Sequence, residues 1–197
     1  MHLKNNSDDI MAILNMKNGS RVKRIILSAY ERFFKTTLFC YYINKSKYQY
    51  NEVFPISVAS SIEQLSEVCC EEGFRQLAKE RFGKGHRLIY CCENATLIGY
   101  GWRVINIHSF YAWEIANDIL FPQSVDVLYD FFVDPSYRKR GIYKSLLHFI
   151  INDSSGKTLL VIYADSTNVP SNKAIISCGF RFVSKLKHFS NRIKQMY

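Results

Sequence analysis

Short apolar runs separated by turn residues recur along this chain, and a few longer segments place apolar residues at helical spacing. The short runs predict β-strands, and the helical spacing predicts helices. The predicted strands cover residues 37–43, 54–59, 86–92, 96–104, 106–114, 125–133, 159–164 and 182–189. Helices are predicted over residues 20–34, over 61–82, from 143 onward and over 171–178.

The order of these elements predicts an α/β fold in the broad sense, built on an α+β mixed sheet. Strands joined as hairpins come first, and a strand–helix–strand–helix–strand series follows. We therefore expect a central mixed β-sheet flanked by helices on both faces. Residues 1–52 are expected to form an N-terminal helix–strand extension packed on a main domain of residues 53–197.

The most informative stretch runs from residue 131 to residue 147. An apolar strand is followed by a basic turn with Arg138 and Arg140, then by Gly141 and a helix that begins its apolar face at Tyr143. The start of this helix has unpaired N–H groups and the positive end of the helix dipole, and the arginines stand beside it. This pattern predicts a site for a phosphate or pyrophosphate that is bound mainly by backbone.

Length, composition and charge narrow the class of protein. The chain has 197 residues, of which 48% are hydrophobic and 22% charged, as in an ordinary globular domain. It has no apolar stretch of the roughly 18 residues needed for a membrane span, and its polar start is unlike a secretory signal, so we expect a cytoplasmic protein without a membrane partner. The formal charge of +9 favours anionic ligands, but it is spread over several segments, which argues against a nucleic-acid partner.

Two other kinds of site are not supported by residue spacing. The six cysteines include the adjacent pairs Cys69-Cys70 and Cys91-Cys92 but no CxxC spacing of a zinc site, so no metal is expected. Gly156-Lys157-Thr158 resembles the end of a phosphate-binding P-loop, but Ile151 stands where that loop needs its first glycine. We expect reduced cysteines and no nucleotide P-loop.

Two motifs give the chain a resemblance to a known family. The first is Arg138-Lys139-Arg140-Gly141-Ile142-Tyr143, preceded by Val133-Asp134-Pro135-Ser136-Tyr137; the second is Asn168-Val169-Pro170-Ser171-Asn172-Lys173-Ala174-Ile175, leading to Gly179-Phe180. Each motif is short, but both occur in order, at the expected separation and at strand-to-helix junctions. Residues 54–189 therefore resemble the GNAT superfamily of acyl-CoA-dependent N-acyltransferases.

The sequence departs from the family pattern at two positions. Tyr143 replaces the last small residue of the first motif, so its side chain is expected to turn into the core. Ile175 stands where many relatives carry a tyrosine that protonates the leaving thiolate. That role is therefore not filled at its usual position.

The resemblance implies a co-substrate and a set of residues that bind it. The co-substrate is acyl-CoA, either acetyl-CoA or a longer acyl-CoA, and no metal is implied. Its pyrophosphate would lie on the first motif, and its pantetheine arm and thioester beside the second. Backbone N–H groups near Phe132 and Val133 would meet the oxyanion. The residues implied in binding are Phe132, Val133, Arg138, Lys139, Arg140, Gly141, Ile142, Tyr143, Asn168, Ser171 and Lys173.

Acyl transfer to a primary amine, which the resemblance implies, requires one group that takes the amine proton and another that protonates the thiolate. The candidates for the base are three carboxylates near the expected reaction centre, Asp130, Asp126 and Glu114. Asp130 stands in an otherwise apolar run, where a charge needs either a structural partner or a role with the amine. Tyr163, together with Ser171, is the candidate acid.

The acceptor is the part of the reaction that the sequence determines least. Without an assured base, an amine with a pKa of about 7.7–8.0 fits better than a lysine side chain near about 10.4. The aromatic residues of the extension, with Trp102, Trp113 and the positive charge, suit a nucleotide base and a sugar diphosphate. The segments Gly99-Tyr100-Gly101-Trp102 and Leu128-Tyr129-Asp130-Phe131 resemble the GNAT members that acylate nucleotide-linked amino sugars for bacterial surface polysaccharides, and this resemblance implies such an acceptor. The alternatives are a protein or peptide amine, another small amine, or a CoA-binding domain without catalysis. Monomer and homodimer both remain open.

Overall fold

The computed structural model describes residues 36–43, 54–154, 158–188 and 193. These residues form seven strands and three helices: β1 Leu38–Ile43, β2 Ile56–Ala59, α1 Glu72–Gly83, β3 Arg87–Glu93, β4 Thr96–Ala112, β5 Asn117–Val133, α2 Ile142–Asp153, β6 Leu159–Asp165, α3 Val169–Ser177 and β7 Arg181–Leu186. Short 3-10 turns lie at Glu63–Leu65 and Pro135–Tyr137.

The strands form one mixed sheet in the order β2-β3-β4-β5-β6-β1-β7. Strands β5 and β6 pair in parallel, and the other neighbouring strands pair antiparallel. Helix α2 is the crossover between β5 and β6, as a parallel pair requires. The predicted mixed sheet with flanking helices is confirmed. The predicted helix over residues 20–34 lies outside the described residues.

The sheet has a hydrophobic core on each face, because successive side chains of a strand point to opposite sides. One core joins Val161 of β6 to Phe82 of α1, and we call this side the α1 face. The other core joins the next residue, Ile162, to Leu146 of α2 and Ile175 of α3, and we call it the α2 face. The prediction of helices on both faces is therefore also confirmed.

Strand β1 belongs to the predicted N-terminal extension, and it lies inside the sheet. Its residues pair with β6 on one side and with β7 on the other. Tyr41 and Tyr42 are buried there, so neither ring provides a surface for a ligand. This part of residues 1–52 is a central strand, while the domain boundary at residue 52 stays a prediction.

The long β4–β5 hairpin differs from the sequence pattern. Residues 116–124 fall between the strands predicted over 106–114 and 125–133 and carry Pro122, which cannot donate to a ladder, so the sequence predicts a loop there. The structure instead continues both strands to a turn at residues 113–116 and absorbs the irregularity as bulges, one of which leaves Asn106 at a φ of 58°. The two strands predicted over 96–114 are therefore one strand.

Helix α1 starts later than predicted, at Glu72 rather than at residue 61. The cause is a β-bridge in the segment before it. The Cys69 amide donates to the Ala95 carbonyl at 2.7 Å, and the Leu97 amide donates to the Cys69 carbonyl at 3.1 Å. Backbone groups used in this bridge are not available for a helix, so the helix begins after it.

A chain that starts at residue 53 tests whether β1 is part of the fold. Removing β1 leaves the facing edges of β6 and β7 unpaired and removes buried residues such as Cys40 from the core. We expect the shortened chain to lose cooperative thermal unfolding, measured by circular dichroism, and dispersed amide signals in NMR spectra. A dispensable extension would instead leave a cooperative transition within a few degrees of that of the full chain.

Candidate functional site

Pairing between the parallel strands β5 and β6 ends before the strands do. The last pair is Leu128 with Ile162, although both strands continue beyond it. We call the space between residues 129–133 of β5 and residues 163–165 of β6 the β5–β6 gap. It opens at the carboxyl ends of two parallel strands, where ligands bind in open sheets of this kind.

A bulge bends β5 where the gap begins. Two residues of β5, Asp130 and Phe131, lie opposite the single residue Gly101 of β4. Asp130 has a φ of 49°, and the Phe131 ring occupies the space beside Gly101, where an added Cβ would lie 2.2 Å from it. The bulge therefore depends on the missing side chain at residue 101.

The basic loop after β5 leads directly into α2. The Asp134 carboxylate accepts from the Ser136 amide at 2.8 Å, and Arg138 Nε donates to the Val133 carbonyl at 3.2 Å. Gly141 is the N-cap of α2 at a φ of 89°, a conformation that favours glycine, and no described side chain caps the first turn. The first N–H groups of α2 are thus left available for an anion.

The positive charge of the loop is accessible to solvent. Arg138, Lys139 and Arg140 are all exposed, and the Arg140 guanidinium lies 4.9 Å from the centre of the Tyr137 ring. Tyr137 in turn donates to the Glu93 carboxylate at 2.7 Å, which anchors the loop to the end of β3. The structure therefore brings the predicted phosphate-binding residues together at one helix start.

The first turn of α2 is packed closely against the sheet. Tyr143 turns inward, with its ring edge-on to Phe131 at a centroid distance of 5.2 Å, and burial raises the pKa of its hydroxyl. Ile142 packs on β4, where a Cβ on Gly99 would lie 2.7 Å from Ile142 Cγ2. The inward orientation expected for Tyr143 is confirmed, and the close approach fixes the start of α2 beside the gap.

Asn172, which is not among the predicted binding residues, holds the second motif together. Asn168 caps α3 by accepting from the Ser171 amide at 3.2 Å. The buried Asn172 donates to the carbonyls of Asp165 and Asn168, both at 2.9 Å, and accepts from the Tyr41 hydroxyl at 2.8 Å. Strand β1 therefore helps to fix the start of α3. The sequence signal that points to Asn172 is that it is the second asparagine of the motif.

Three further residues of α3 that the sequence analysis named differ in burial and contacts: Ile175, Lys173 and Ser171. Ile175 is fully buried on the α2 face, so this position supplies no proton donor. Lys173 is exposed, and the Ser171 side chain interacts with the Tyr143 hydroxyl. Of the two candidate acids, Ser171 therefore lies on α3 and Tyr163 on β6.

On the α1 face, five side chains meet beside the gap, and we call them the Arg81 cluster: Arg81, His86, Trp102, Tyr129 and Asp130. Arg81 Nη1 donates to Asp130 Oδ2 at 2.5 Å. Its guanidinium carbon lies 4.8 Å from the centre of the Trp102 ring and 5.0 Å from that of Tyr129. His86 Nδ1 lies 2.6 Å from the Tyr129 hydroxyl oxygen. The cluster thus gathers residues from four separate parts of the chain.

Burial determines the protonation states in the Arg81 cluster. It lowers the pKa of His86 to about 4, and the charges of Arg81 and Lys84 act in the same direction. Burial raises the pKa of Tyr129 well above its usual value, and the charge of Asp130 adds to this increase. At neutral pH the imidazole is therefore neutral and the phenol keeps its proton.

Tyr163 lies across the gap from Tyr129, on the same face. Phe110 contacts both rings, with centroid distances of 4.8 Å to Tyr129 and 5.9 Å to Tyr163. Burial raises the pKa of Tyr163 well above its usual value, and the charges of Glu114 and Asp130 raise it further. Three predicted site residues are thus near one another, with Glu114 in the exposed hairpin turn and Asp130 in the bulge.

Asp126, the other candidate base, belongs to a buried ion-pair network. Its Oδ2 accepts from Arg103 Nη2 at 2.7 Å and Nε at 3.1 Å, and its Oδ1 accepts from the Asn106 amide at 2.9 Å. Arg103 also pairs with Asp153 at 2.8 Å. Asp126 lies opposite Leu160, before the gap begins, and both of its oxygens are engaged. This geometry argues against its predicted role as a base.

Sequence reasoning missed Arg81 and His86. They lie 49 and 43 residues before their partners Asp130 and Tyr129, at the end of α1 and just before β3. No local spacing joins them to the motifs. Arg81 falls within the helix predicted over residues 61–82, and His86 is the first residue of the strand predicted over 86–92.

A comparison with protein-family models matches residues 50–180 to the Acetyltransferase (GNAT) family. The match covers well over half of the chain, so the chain belongs to this family. The members of this family are acetyltransferases. A comparison with curated proteins gave no significant match.

Solved structures of the same family share the fold. An acetyltransferase of the GNAT family from Colwellia psychrerythraea has a TM-score of 0.52 and 19% identity, over 77% of this chain and 54% of its own. A putative acetyltransferase of the GNAT family from Novosphingobium aromaticivorans has a TM-score of 0.51 and 10% identity, over 76% of this chain and 61% of its own. The chain thus spans little more than half of the length of these two proteins, and the likeness concerns the fold alone.

Within the ranges that the structure describes, no group of three or more histidine, cysteine, aspartate or glutamate side chains is placed to hold a metal ion. No helix in those same ranges is long and apolar enough to cross a membrane. All six cysteines lie in described segments and are free thiols.

Replacing Asp126 separates a structural role from a catalytic one. Asp126→Asn leaves the buried Arg103 guanidinium without its buried carboxylate and with only the half-exposed Asp153 as a charged partner, so we expect a loss of about 3 kcal/mol in the free energy of unfolding, measured with urea. Asp153→Asn is the matched control, because Asp153 pairs with the same guanidinium but is 49% exposed, and it should cost less than about 1 kcal/mol. A strong fall in kcat of the folded Asp126 variant, with little loss of stability, would restore the catalytic role.

Proposed function

We propose that the protein transfers an acyl group from acyl-CoA to a primary amine across the β5–β6 gap. The observation that carries the proposal is the position of this gap between two dissimilar sites. The uncapped start of α2 lies toward one face of the sheet, and the Arg81 cluster lies on the other. A donor thioester and an acceptor amine that approach from opposite faces would meet at the gap.

The start of α2 suits the pyrophosphate of acyl-CoA. Helix α2 has 12 residues, and its dipole and first N–H groups favour an anion. The exposed residues 138–140 add positive charge, and a Cβ on Gly141 would meet nothing within 4 Å, so a phosphate can approach the backbone. Asn168 and Ser171, at the start of α3, would flank the pantetheine arm.

The reacting carbonyl would be served by the edge of β5. Phe132 and Val133 lie beyond the last pair with β6, and N–H groups on that edge can stabilise negative charge on the carbonyl oxygen. Asp130 lies beside them with Oδ2 on Arg81, and no partner for its Oδ1 is found among the described residues. We assign this second oxygen to the incoming ammonium group.

For the acceptor we propose a nucleotide-linked amino sugar, used in surface polysaccharide biosynthesis. Tyr100 and Phe132 stack at a centroid distance of 5.5 Å, and Phe132 is 40% exposed, so the pair offers a flat apolar surface to a sugar or a base. The net charge of +9 favours a substrate that carries phosphate. Trp102 is fully buried and does not contribute, contrary to the expectation from the sequence.

A second candidate function is the binding of acyl-CoA without catalysis. The observation that favours it is the buried, apolar Ile175 at the position where relatives supply a proton donor. Acyl transfer to a peptide amine or to another small amine is the alternative within catalysis. One experiment separates all three.

Acetyl-CoA and a longer acyl-CoA are offered to the protein with a panel of amines, and thiol release is followed. The panel contains a nucleotide-linked amino sugar, glucosamine, an aminoglycoside, a polyamine and a short peptide. We expect turnover with the nucleotide-linked amino sugar, with kcat/KM at least tenfold above that for free glucosamine, because the nucleotide supplies additional binding energy. Turnover of peptides or polyamines alone would refute the acceptor, and binding of acyl-CoA without turnover would favour the non-catalytic function.

Gly141→Ala tests the role of the α2 start. The left-handed φ of 89° costs a residue with a Cβ about 1–2 kcal/mol, so the free loop should relax away from this conformation and regain it only on binding. We expect acyl-CoA to bind about tenfold more weakly, as measured by titration calorimetry. Gly73→Ala is the matched control, because Gly73 lies in α1 with equally open space and no left-handed φ. Equal affinities for both variants would contradict the assignment.

A further inference from the structure

We propose that Tyr129, with His86 behind it, is the proton relay of the acyl transfer: the amine gives its proton to the Tyr129 hydroxyl oxygen while the hydroxyl proton passes to His86 Nδ1. This inference rests on the proposed acyltransferase function and deepens it. It assigns a catalytic role to Tyr129, which would touch the amine, and a supporting role to His86, which acts through Tyr129.

The position of Tyr129 is the first argument. It is the first residue of β5 after the last pair with β6, so its backbone stands where the gap begins. Its side chain belongs to the core of the α1 face, the face opposite the start of α2. Phe110 and Arg81 cover its ring, with distances of 4.8 Å between the Phe110 and Tyr129 centroids and 5.0 Å from the guanidinium carbon. The phenol is therefore held on the side assigned to the amine.

The contact with His86 is the second argument. His86 Nδ1 lies 2.6 Å from the Tyr129 hydroxyl oxygen, and the two rings meet edge to face at 5.7 Å. In the tautomer that carries its hydrogen on Nε2, Nδ1 accepts the hydrogen bond that the phenol donates. The hydroxyl oxygen then keeps a lone pair for a second proton, which is the arrangement that a relay requires.

The surrounding charges are the third argument. Arg81 on α1 and Lys84 just after it disfavour an imidazolium, so burial and these charges keep the resting His86 neutral and make the imidazolium formed during the transfer short-lived and strongly acidic. Asp130 lies beside Tyr129 on β5, but its Oδ2 is taken by Arg81. His86 is only half-buried, so a proton that reaches it can pass on to solvent. The pair is therefore reset after each transfer.

The acceptor reacts as the neutral amine, after the proton of its ammonium form has gone to water. The amine nitrogen forms a bond to the acyl carbon, and the carbon–sulfur bond breaks with its electron pair on sulfur. One proton leaves the nitrogen for the Tyr129 oxygen, the phenol proton moves to His86 Nδ1, and the departing thiolate takes a proton from water. No oxidant, reductant or metal is needed.

The test compares Tyr129→Phe, His86→Gln and the double variant with the full wild-type chain, using acetyl-CoA and the best amine of the panel. Phenylalanine keeps the ring that packs on Phe110, and glutamine keeps a polar side chain but takes up no proton. We expect each single variant to lower kcat about 100-fold with little change in the affinity for acetyl-CoA. The double variant should be no slower than the slower single variant, because each single substitution already removes the whole relay.

Two further measurements separate proton transfer from a structural role. External imidazole should restore part of the kcat of His86→Ala, whereas a merely structural histidine would give no such rescue. Tyr111→Phe is the matched control, because Tyr111 is 43% exposed at the end of the hairpin, and it should leave kcat unchanged. Thermal unfolding of each variant shows that the comparison is made on folded protein.

The outcomes are distinguishable from a failure of the proposed function. If the wild-type chain transfers acyl groups but Tyr129→Phe keeps its kcat, the relay is wrong and the acyltransferase function stands. A loss of kcat in Asp130→Asn that is absent from Tyr129→Phe would give the proton to Asp130 and likewise overturn the relay. If the wild-type chain transfers no acyl group to any amine, the proposed function fails and the relay fails with it.

Discussion

The contact between the Phe131 ring and Gly101 is the constraint on which the site depends. A Cβ at residue 101 would lie 2.2 Å from that ring, so this register of β4 and β5 exists only with glycine there. The resulting bulge places Asp130 at a positive φ and directs its carboxylate to Arg81. It also bends β5 at the point where pairing with β6 stops. The gap and the two sites beside it follow from this one packing arrangement.

The two sites use charge in different ways. At the start of α2 the cations are exposed, and the anion is expected to meet them together with backbone N–H groups. Such binding is screened by salt and tolerates movement of the side chains. In the Arg81 cluster the groups are partly removed from water, so a neutral His86 and a protonated Tyr129 persist at neutral pH. A polyanionic donor suits the first environment, and controlled proton transfer needs the second.

The fold class and the place of the basic loop at the start of α2 could be predicted from the sequence, because each of these depends on contiguous residues. The first motif spans one strand–loop–helix unit, and its spacing alone brings the basic loop to the start of α2. The acceptor side depends on contacts between distant residues, such as Arg81 with Asp130, 49 positions apart, which no local pattern encodes. The place of β1 in the sheet was open to better inference, since its nearly uninterrupted apolar sequence is typical of a strand buried on both faces.

The position of β1 also bears on how the gap keeps its shape. Tyr41 of β1 donates to Asn172, 131 residues away, and Asn172 holds the junction of β6 and α3. On the opposite face, Phe110 of the hairpin contacts Tyr129 and Tyr163 on the two sides of the gap. The gap is thus supported on both faces by side chains whose own positions are fixed by packing, which is the arrangement that preorganises a reaction site. In the proposed reaction, Ile175 supplies no proton to the thiolate, which takes one from water, and the amine proton leaves through Tyr129 on the α1 face, where the strand ladder rather than a helix determines its position.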